Sequence, residues 1–212
     1  MIELLRKFNF TWFIFGALAF AAPPAMAQVG PSESIVAKPQ RVATYEATVA
    51  GLALSTTATD FLTVSVGTTG TPLVVRIKSV SCSGDSTAAS LLGLTAFIRA
   101  TPDSGGTSTA PVAEAMDPTD APATATVAAY TASPTVTSAG SGSVDSALVL
   151  LPASTTPAVT GTPYNRAFGF QNDKEVTLRP TSNNVEFALN ARGATSAGTA
   201  LSCQVEWTES LN

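Results

Sequence analysis

The stretch Leu201-Ser-Cys-Gln-Val-Glu-Trp-Thr208 alternates apolar and polar side chains from end to end. Leu201, Cys203, Val205 and Trp207 occupy one set of alternate positions, and polar side chains occupy the other. Successive side chains of a β-strand point to opposite faces, so this period of two predicts a strand that buries one face. It is the clearest pattern of its kind in the chain, and it favours a protein built from β-sheet.

Similar patterns recur along the chain from residue 41 onward. The predicted strands are 42–49, 60–66, 73–80, 91–99, 123–130, 146–151, 164–171, 175–179, 185–190 and 201–208. Gly, Pro and Asp stand between many of them at turn positions, and no segment after residue 27 has the pattern of an amphipathic helix. About eight to ten short strands predict an all-β fold, namely a single antiparallel β-sandwich or jelly-roll-like domain over residues 41–212.

The middle of the chain has a different composition. Residues 101–143 consist mostly of Ala, Thr, Ser, Gly and Pro. A polar stretch of this length inside one domain predicts either a projecting functional loop or a string of short strands. The sequence leaves both open, and it indicates a loop tip at residues 138–143.

The first 27 residues predict an export signal. Two basic residues precede an apolar stretch at residues 8–22, and Ala25-Met-Ala27 follows as a small-residue cleavage site before Gln28. This order is typical of a secretory signal peptide; the alternative is an uncleaved hydrophobic anchor, although a bilayer span needs about 20 apolar residues. Residues 28–40 are polar and contain two prolines, so we expect a flexible arm there. The protein is then exported to the periplasm, the cell surface or the medium, or belongs to a virion if a phage encodes it.

Composition excludes several classes of protein. The chain has no histidine, so it cannot carry a Ser-His-Asp triad, a histidine metal site or a histidine pH switch. Its formal net charge is −4, and the nine basic residues after residue 27 are scattered. Nucleic-acid binding needs clustered Lys and Arg, so we expect no nucleic-acid partner.

The two cysteines, Cys82 and Cys203, are too far apart in sequence to form a CxxC redox motif. In an exported protein, two cysteines predict one structural disulfide. The alternative is a pair of buried free thiols that pack as small apolar side chains.

Two sets of acidic residues could carry chemistry. Glu186 and Glu206 lie on predicted strands and could act as the carboxylate pair of a glycosidase. Their positions alternate with the apolar residues, which instead indicates a solvated sheet face. Asp103, Asp117 and Asp120 could share a calcium ion, but the EF-hand spacing is absent and a turn-forming role is the better interpretation. We therefore predict no enzyme, no catalytic residue, no metal site and no cofactor.

Four aromatic residues, Tyr45, Tyr130, Tyr164 and Trp207, could bind a sugar by stacking. Trp207 is in phase with the apolar residues of its strand, so we expect it to be buried. Tyr130 follows a strand rich in Ala and Thr, and we expect it to be exposed.

The central block resembles a family of small proteins. It contains Asp103-Ser-Gly-Gly-Thr-Ser-Thr-Ala-Pro-Val-Ala113 and Met116-Asp-Pro-Thr-Asp-Ala-Pro-Ala-Thr-Ala-Thr-Val-Ala-Ala-Tyr-Thr-Ala-Ser-Pro-Thr135. Together with the flanking segments 53–64, 73–81, 168–179 and 205–209, these runs look like small β-rich structural proteins encoded among the genes of tailed phages. The resemblance covers residues 42–209. It implies a β-rich virion component and supplies no catalytic residues.

Two features depart from that family, because phage virion proteins normally need no signal peptide and seldom contain disulfides. Three hypotheses follow. The first is a virion structural protein of the capsid-decoration or fibre-like type. The second is an exported bacterial surface or matrix protein that assembles through β-strand contacts, and the third is a secreted carbohydrate-binding or hydrolytic protein. In the first two, the partners are proteins, either further copies of the chain in a homo-oligomer or a capsid or surface lattice. Membrane contact is confined to the N-terminal segment before cleavage.

Overall fold

The structure, a computed structural model, describes residues 42–67, 73–136, 142–155, 161–169, 175–180, 183–192 and 197–211. These residues form twelve strands: β1 (Ala43–Ala53), β2 (Thr59–Ser65), β3 (Val74–Asp85), β4 (Ser90–Arg99), β5 (Thr107–Thr109), β6 (Ala113–Ala115), β7 (Thr126–Ala132), β8 (Ser143–Leu151), β9 (Tyr164–Ala167), β10 (Val176–Leu178), β11 (Glu186–Arg192) and β12 (Ala200–Ser210). The predicted all-β class is confirmed. The predicted signal segment, its cleavage point between Ala27 and Gln28 and the arm at 28–40 lie outside the described residues.

The strands form two antiparallel sheets that pack together as a β-sandwich. Sheet A has the strand order β10-β3-β12-β1-β6, and β9 also pairs with β3. Sheet B has the order β5-β7-β2-β11-β4-β8. The strand β12, which carries the 201–208 pattern, is the middle strand of sheet A and pairs with β3 on one side and β1 on the other.

The core between the sheets is built from apolar positions that the alternation predicts. Trp207 and Ile77 in sheet A, and Phe61 and Phe187 in sheet B, are almost fully buried. Phe168, which follows β9, contacts Phe187 edge to face, with ring centroids 5.9 Å apart. Burying one Phe or Ile side chain contributes about 1.5–3 kcal/mol of transfer free energy, so this layer of side chains holds the two sheets together.

The central region forms a string of short strands, which decides between the two alternatives that the sequence left open. β5 and β7 join sheet B, whereas β6 joins sheet A, so the chain crosses between the sheets twice in this region. The strand predicted at 123–130 is β7. The loop tip predicted at 138–143 lies partly outside the described residues.

A buried carboxylate near the end of β12 binds the backbone just before β7. Glu209 accepts hydrogen bonds from the backbone N–H groups of Thr124, at 2.9 Å, and Ala125, at 3.0 Å. The indole N–H of Trp207 donates to the same carboxylate at 2.9 Å. Glu209 therefore satisfies donors from both sheets that would otherwise be buried without a partner.

Replacing Glu209 with Ala is expected to lower the free energy of unfolding by about 2–3 kcal/mol, because buried donors then lose their acceptor. Urea denaturation followed by tryptophan fluorescence measures the change. The matched control is Glu206→Ala on the same strand, where the carboxylate is partly exposed and accepts from Ser79 at 3.3 Å. We expect this control to lose less than about 1 kcal/mol, and equal losses in the two variants would contradict the role given to Glu209.

Candidate functional site

A buried polar cluster lies on the outer face of sheet B, where the segment between β4 and β5 covers it. The two central strands, β2 and β11, are buried on both faces along most of their length. Their inner face carries apolar side chains, and their outer face carries Asp60, Thr63, Glu186 and Asn190. The backbone N–H of Asp103, in the covering segment, donates to Oε1 of Glu186 at 3.0 Å.

Asp60 and Arg99 form a buried ion pair at the centre of this cluster. The Asp60 side chain is fully buried, and Nε and Nη2 of Arg99 donate to its two carboxylate oxygens at 3.0 and 2.9 Å. The side-chain amide of Asn190 donates to the same carboxylate at 2.6 Å. The ring of Phe97 lies 4.5 Å from the guanidinium carbon. Two parallel hydrogen bonds and an aromatic contact compensate for the loss of water around both charges.

Glu186 is only 1% exposed, so the prediction that it lies on a solvated sheet face is wrong. The alternation correctly places its side chain opposite the core residues, but the segment that contains Asp103 covers that face. Burial raises the pKa of Glu186 to about 7, an effect that the hydrogen bonds from Asp103 and Thr63 partly oppose.

Asp103 is the second perturbed acid of the cluster. Its two carboxyl oxygens are buried and have no hydrogen-bond partner among the described residues. Burial raises the pKa of Asp103 to about 8, and the nearby carboxylates of Glu186 and Asp60 raise it in the same direction. A buried carboxylate without a donor is costly, so the protonated form is favoured at neutral pH.

The cluster can therefore hold protons near neutral pH. Three carboxyl groups, those of Asp60, Asp103 and Glu186, share the cluster with the single guanidinium of Arg99. Raised carboxyl pKa values also occur at catalytic sites. In this conformation, however, the carboxyl oxygens of Asp103 and the side chains of Asp60 and Glu186 are buried, so a substrate does not reach them.

We expect the free energy of unfolding to fall as the pH rises from about 4 to about 8, because of Asp103 and Glu186. Their folded-state pKa values of about 8 and about 7 exceed the ordinary values of 3.8 and 4.5. The folded protein then binds more protons than the unfolded chain in this range. The stabilisation is complete below the pKa values of the unfolded chain and is lost as the pH rises through the pKa values of the folded protein. Urea denaturation at several pH values measures it.

The variant Asp103→Asn isolates this effect, because asparagine has the shape of a protonated carboxyl group and does not ionise. We expect it to match the unchanged protein at about pH 4 and to be the more stable of the two at about pH 9. Asp85→Asn, at an exposed position, is the control. Its difference in free energy of unfolding from the unchanged protein should be the same at both pH values. The hydrogen bond from Lys78 lowers the pKa of Glu175, so this group makes stability rise with pH instead. A comparison of variants is therefore needed to isolate the effect of Asp103. If the free energy of unfolding of Asp103→Asn differed from that of the unchanged protein by the same amount at every pH, the assignment to Asp103 would be contradicted.

The four aromatic residues considered for sugar stacking are all buried. Trp207 is buried as predicted, and it stacks on Tyr45 with ring centroids 6.0 Å apart. The prediction that Tyr130 is exposed is wrong, since it lies on the covered face of sheet B, where burial and then Glu186 raise its pKa. Tyr164 is buried and donates to Asp145 at 2.9 Å. These rings cannot form a stacking surface in this conformation.

The three aspartates considered for calcium do not come together as a set. Asp117 accepts hydrogen bonds from the backbone N–H and hydroxyl of Thr119, at 2.8 and 2.6 Å, in the turn that also contains Asp120. Asp103 belongs to the buried cluster instead. Across the described part of the chain, no three or more Cys, Asp or Glu side chains are arranged to hold a metal ion.

Cys82 and Cys203 form the predicted disulfide. They face each other directly on the paired strands β3 and β12, with their Cα atoms 4.2 Å apart. The bond lies in sheet A next to the core, and it closes a sequence separation of 121 residues. Structural disulfides occur mainly in oxidising compartments, which agrees with the predicted export without establishing it.

Several of the exposed apolar side chains lie at or next to sheet edges. Leu91 and Leu148 are 69% and 70% exposed on β4 and β8, at one edge of sheet B. Val112 and Met116 are also exposed, and they flank β6 at one edge of sheet A. A cleft of about 700 Å³ opens beside Gly84 and the end of β8 at Leu150, and Asp85 is the titratable side chain in its described lining. The sheet edges are therefore the candidate functional surface.

Together, these features define a two-sheet antiparallel β-sandwich with an internal disulfide, a closed acidic cluster and apolar sheet edges. Searches of protein-family models, curated proteins and solved structures each found no match to this chain. Within the described residues, no helix is long and apolar enough to span a membrane.

Proposed function

We propose that this chain is a non-enzymatic structural protein that acts by assembling into a larger structure. The observation that carries this proposal is the position of its exposed apolar residues. Single exposed leucines are common on protein surfaces. Here, however, Leu148, Val112 and Met116 lie on or beside strands at the edges of the sheets, where the unpaired backbone can add a further strand. The acids with raised pKa values, by contrast, are enclosed, which favours a structural role for the protein.

The structure to which it contributes is, in this proposal, a phage virion, with the protein as a capsid-decoration or fibre-like component. The sequence resemblance over residues 42–209 supports this assignment. A sandwich with few charges also suits close packing against other subunits, because charged residues are depleted in the centres of protein interfaces.

A second candidate is an exported bacterial surface or matrix protein that assembles through β-strand contacts. The disulfide between Cys82 and Cys203 favours it, since such bonds persist mainly outside the cytoplasm. The signal-like sequence at residues 1–27 points in the same direction.

N-terminal sequencing and intact mass of the native protein discriminate the two candidates. The protein is recovered in parallel from purified particles and from the extracellular fraction. A chain that begins at Met1 and copurifies with particles supports the virion component. A chain that begins at Gln28 and occurs only in the extracellular or surface fraction supports the exported surface protein and overturns the virion assignment.

A further inference from the structure

The edge strand β8 differs from the other edges of the sandwich. β5, β6 and β10 have three residues each and β9 has four, whereas β8 has nine. Short edge strands offer little backbone for another chain to pair with. β8 is therefore the longest of the strands that end a sheet in the described part of the chain.

Among the described residues, part of the outer backbone of β8 has no hydrogen-bond partner. The N–H of Thr162 donates to the carbonyl of Leu150 at 3.1 Å, so the backbone groups of Leu150 point away from β4. In an antiparallel strand these directions alternate, so those of Ser146 and Leu148 point the same way. No described residue bonds to the outer backbone groups of these two positions.

β8 carries a bulge near its start, opposite Ala96 and Phe97, but it lacks several other features that usually protect an edge. The segment Ser143–Leu151 contains no Lys, Arg or Pro. Its one charge, Asp145, points inward and is already paired with Arg166 at 2.8 Å and with the hydroxyl of Tyr164 at 2.9 Å. Leu148 lies opposite Gly93, which has no side chain, and is strongly exposed. An exposed apolar edge of this length is a site for strand pairing.

We propose that β8 pairs antiparallel with β8 of a second copy of the chain, around a twofold axis at Ala147; this inference rests on the proposed structural role. The register follows from the contacts. Because the Leu150 carbonyl already accepts a bond, the available outward groups are those of Ser146 and Leu148. A centre at Ala147 places Ser146 of each copy opposite Leu148 of the other, so that the N–H and carbonyl groups of both residues are paired in each copy. The pairing ends at Asp145 and Val149, because Thr162 occupies the outer edge beside Leu150.

Charge favours the same occupant. In this register Asp145 lies opposite Val149 of the second copy, so the two Asp145 carboxylates do not face each other. Leu148 of each copy adds to one apolar strip that also contains Leu91 on the neighbouring strand β4. A β8–β8 pair thus joins two copies of sheet B without placing like charges opposite one another.

Sedimentation velocity of the full chain tests the pairing, with Leu148→Lys as the disruptive variant. A lysine on the edge adds a charge to each copy, and we expect it to weaken self-association by about tenfold or more. Leu211→Lys is the matched control, because Leu211 is 71% exposed but lies beyond the end of β12. The unchanged protein and the control should associate, and Leu148→Lys should sediment as a single copy. Association that survives Leu148→Lys, or a single copy throughout for the unchanged protein, overturns the inference.

Hydrogen exchange identifies the surface directly. The backbone amides of Ser146 and Leu148 should be protected in the associated protein and should exchange rapidly in Leu148→Lys. Association with both amides unprotected places the interface elsewhere and overturns the β8 pairing. The proposed function has a separate test. It fails if the protein is absent from both particles and the cell surface, whatever its self-association.

Discussion

Replacement of Arg99 with Met is expected to lower the free energy of unfolding by about 3–5 kcal/mol, the usual loss when one partner of a buried ion pair is removed. Asp60 then remains fully buried without the guanidinium that donates two hydrogen bonds to it. Asn190 still donates one bond, but an amide supplies no positive charge. Denaturation by urea, monitored by tryptophan fluorescence, measures the loss.

Arg166→Met is the matched control. Arg166 also pairs with an aspartate, Asp145, at 2.8 Å, but its side chain is 52% exposed. Asp145 is 11% exposed, but it keeps the hydrogen bond from Tyr164, and water screens the half-exposed guanidinium. The control should therefore lose clearly less than Arg99→Met. Similar losses in the two variants would show that burial of the Asp60–Arg99 pair does not determine its effect.

A double variant separates the absence of the guanidinium from the presence of an unpaired charge. In Asp60→Leu combined with Arg99→Met, neither charge remains. Replacing a buried pair with apolar side chains is often neutral in other proteins. We therefore expect the double variant to be more stable than Arg99→Met alone. A double variant that loses the sum of the two single losses would contradict the explanation by an unpaired charge.

Removal of the disulfide, by Cys82→Ala together with Cys203→Ala, is expected to destabilise the fold by about 4–5 kcal/mol in the chain-entropy model. The bond closes a loop with a sequence separation of 121 residues, and a long loop restricts the unfolded chain strongly. A domain of this kind has a total stability of about 5–15 kcal/mol, so the loss leaves little margin. Denaturation of the oxidised protein and of the double alanine variant measures it.

Two controls accompany the disulfide variant. Alkylation of the native, unreduced protein should modify no thiol, whereas modification of two thiols would contradict the bond. The reduced form of the unchanged protein should match the double alanine variant, since both lack the cross-link. A difference below about 1 kcal/mol between oxidised and reduced protein would show that the native sheet, rather than the bond, holds β3 and β12 together.

Much of the fold could be predicted from local pattern. The alternation at 201–208 identified β12 and its buried face, including Trp207, and the strands on either side followed from shorter patterns. The pairing of Cys82 with Cys203 needed only their number and an expected oxidising compartment. These features depend on side-chain period and composition, which are properties of short segments.

The errors at Glu186 and Tyr130 have a common cause. Alternation shows that two sets of side chains point in opposite directions, but it does not show whether a second layer covers the polar set. In sheet B the segment around Asp103 supplies that cover, at a sequence distance of 83 residues from Glu186. Glu209 was overlooked for the same reason, because its partner Thr124 is 85 residues away.

The candidate surface was also only partly predictable. The apolar pattern at 146–151 predicted a strand, but an apolar run is equally suited to the centre of a sheet. That β8 lies at an edge follows from strand order, which in turn depends on the pairing of β4 with β11 on its other side. Edge position is thus a property of the assembled sheet.

The central position of β12 has a consequence for the order in which the protein can fold. Ala43, at the start of β1, pairs with Glu209, close to the end of the chain. Until synthesis reaches β12, β1 and β3 have no strand between them, and sheet A cannot close. Contacts this distant in sequence form slowly. Sheet A is therefore completed only after β12 has been synthesised, so β1 and β3 wait for their shared neighbour while every strand of sheet B is already available to pair.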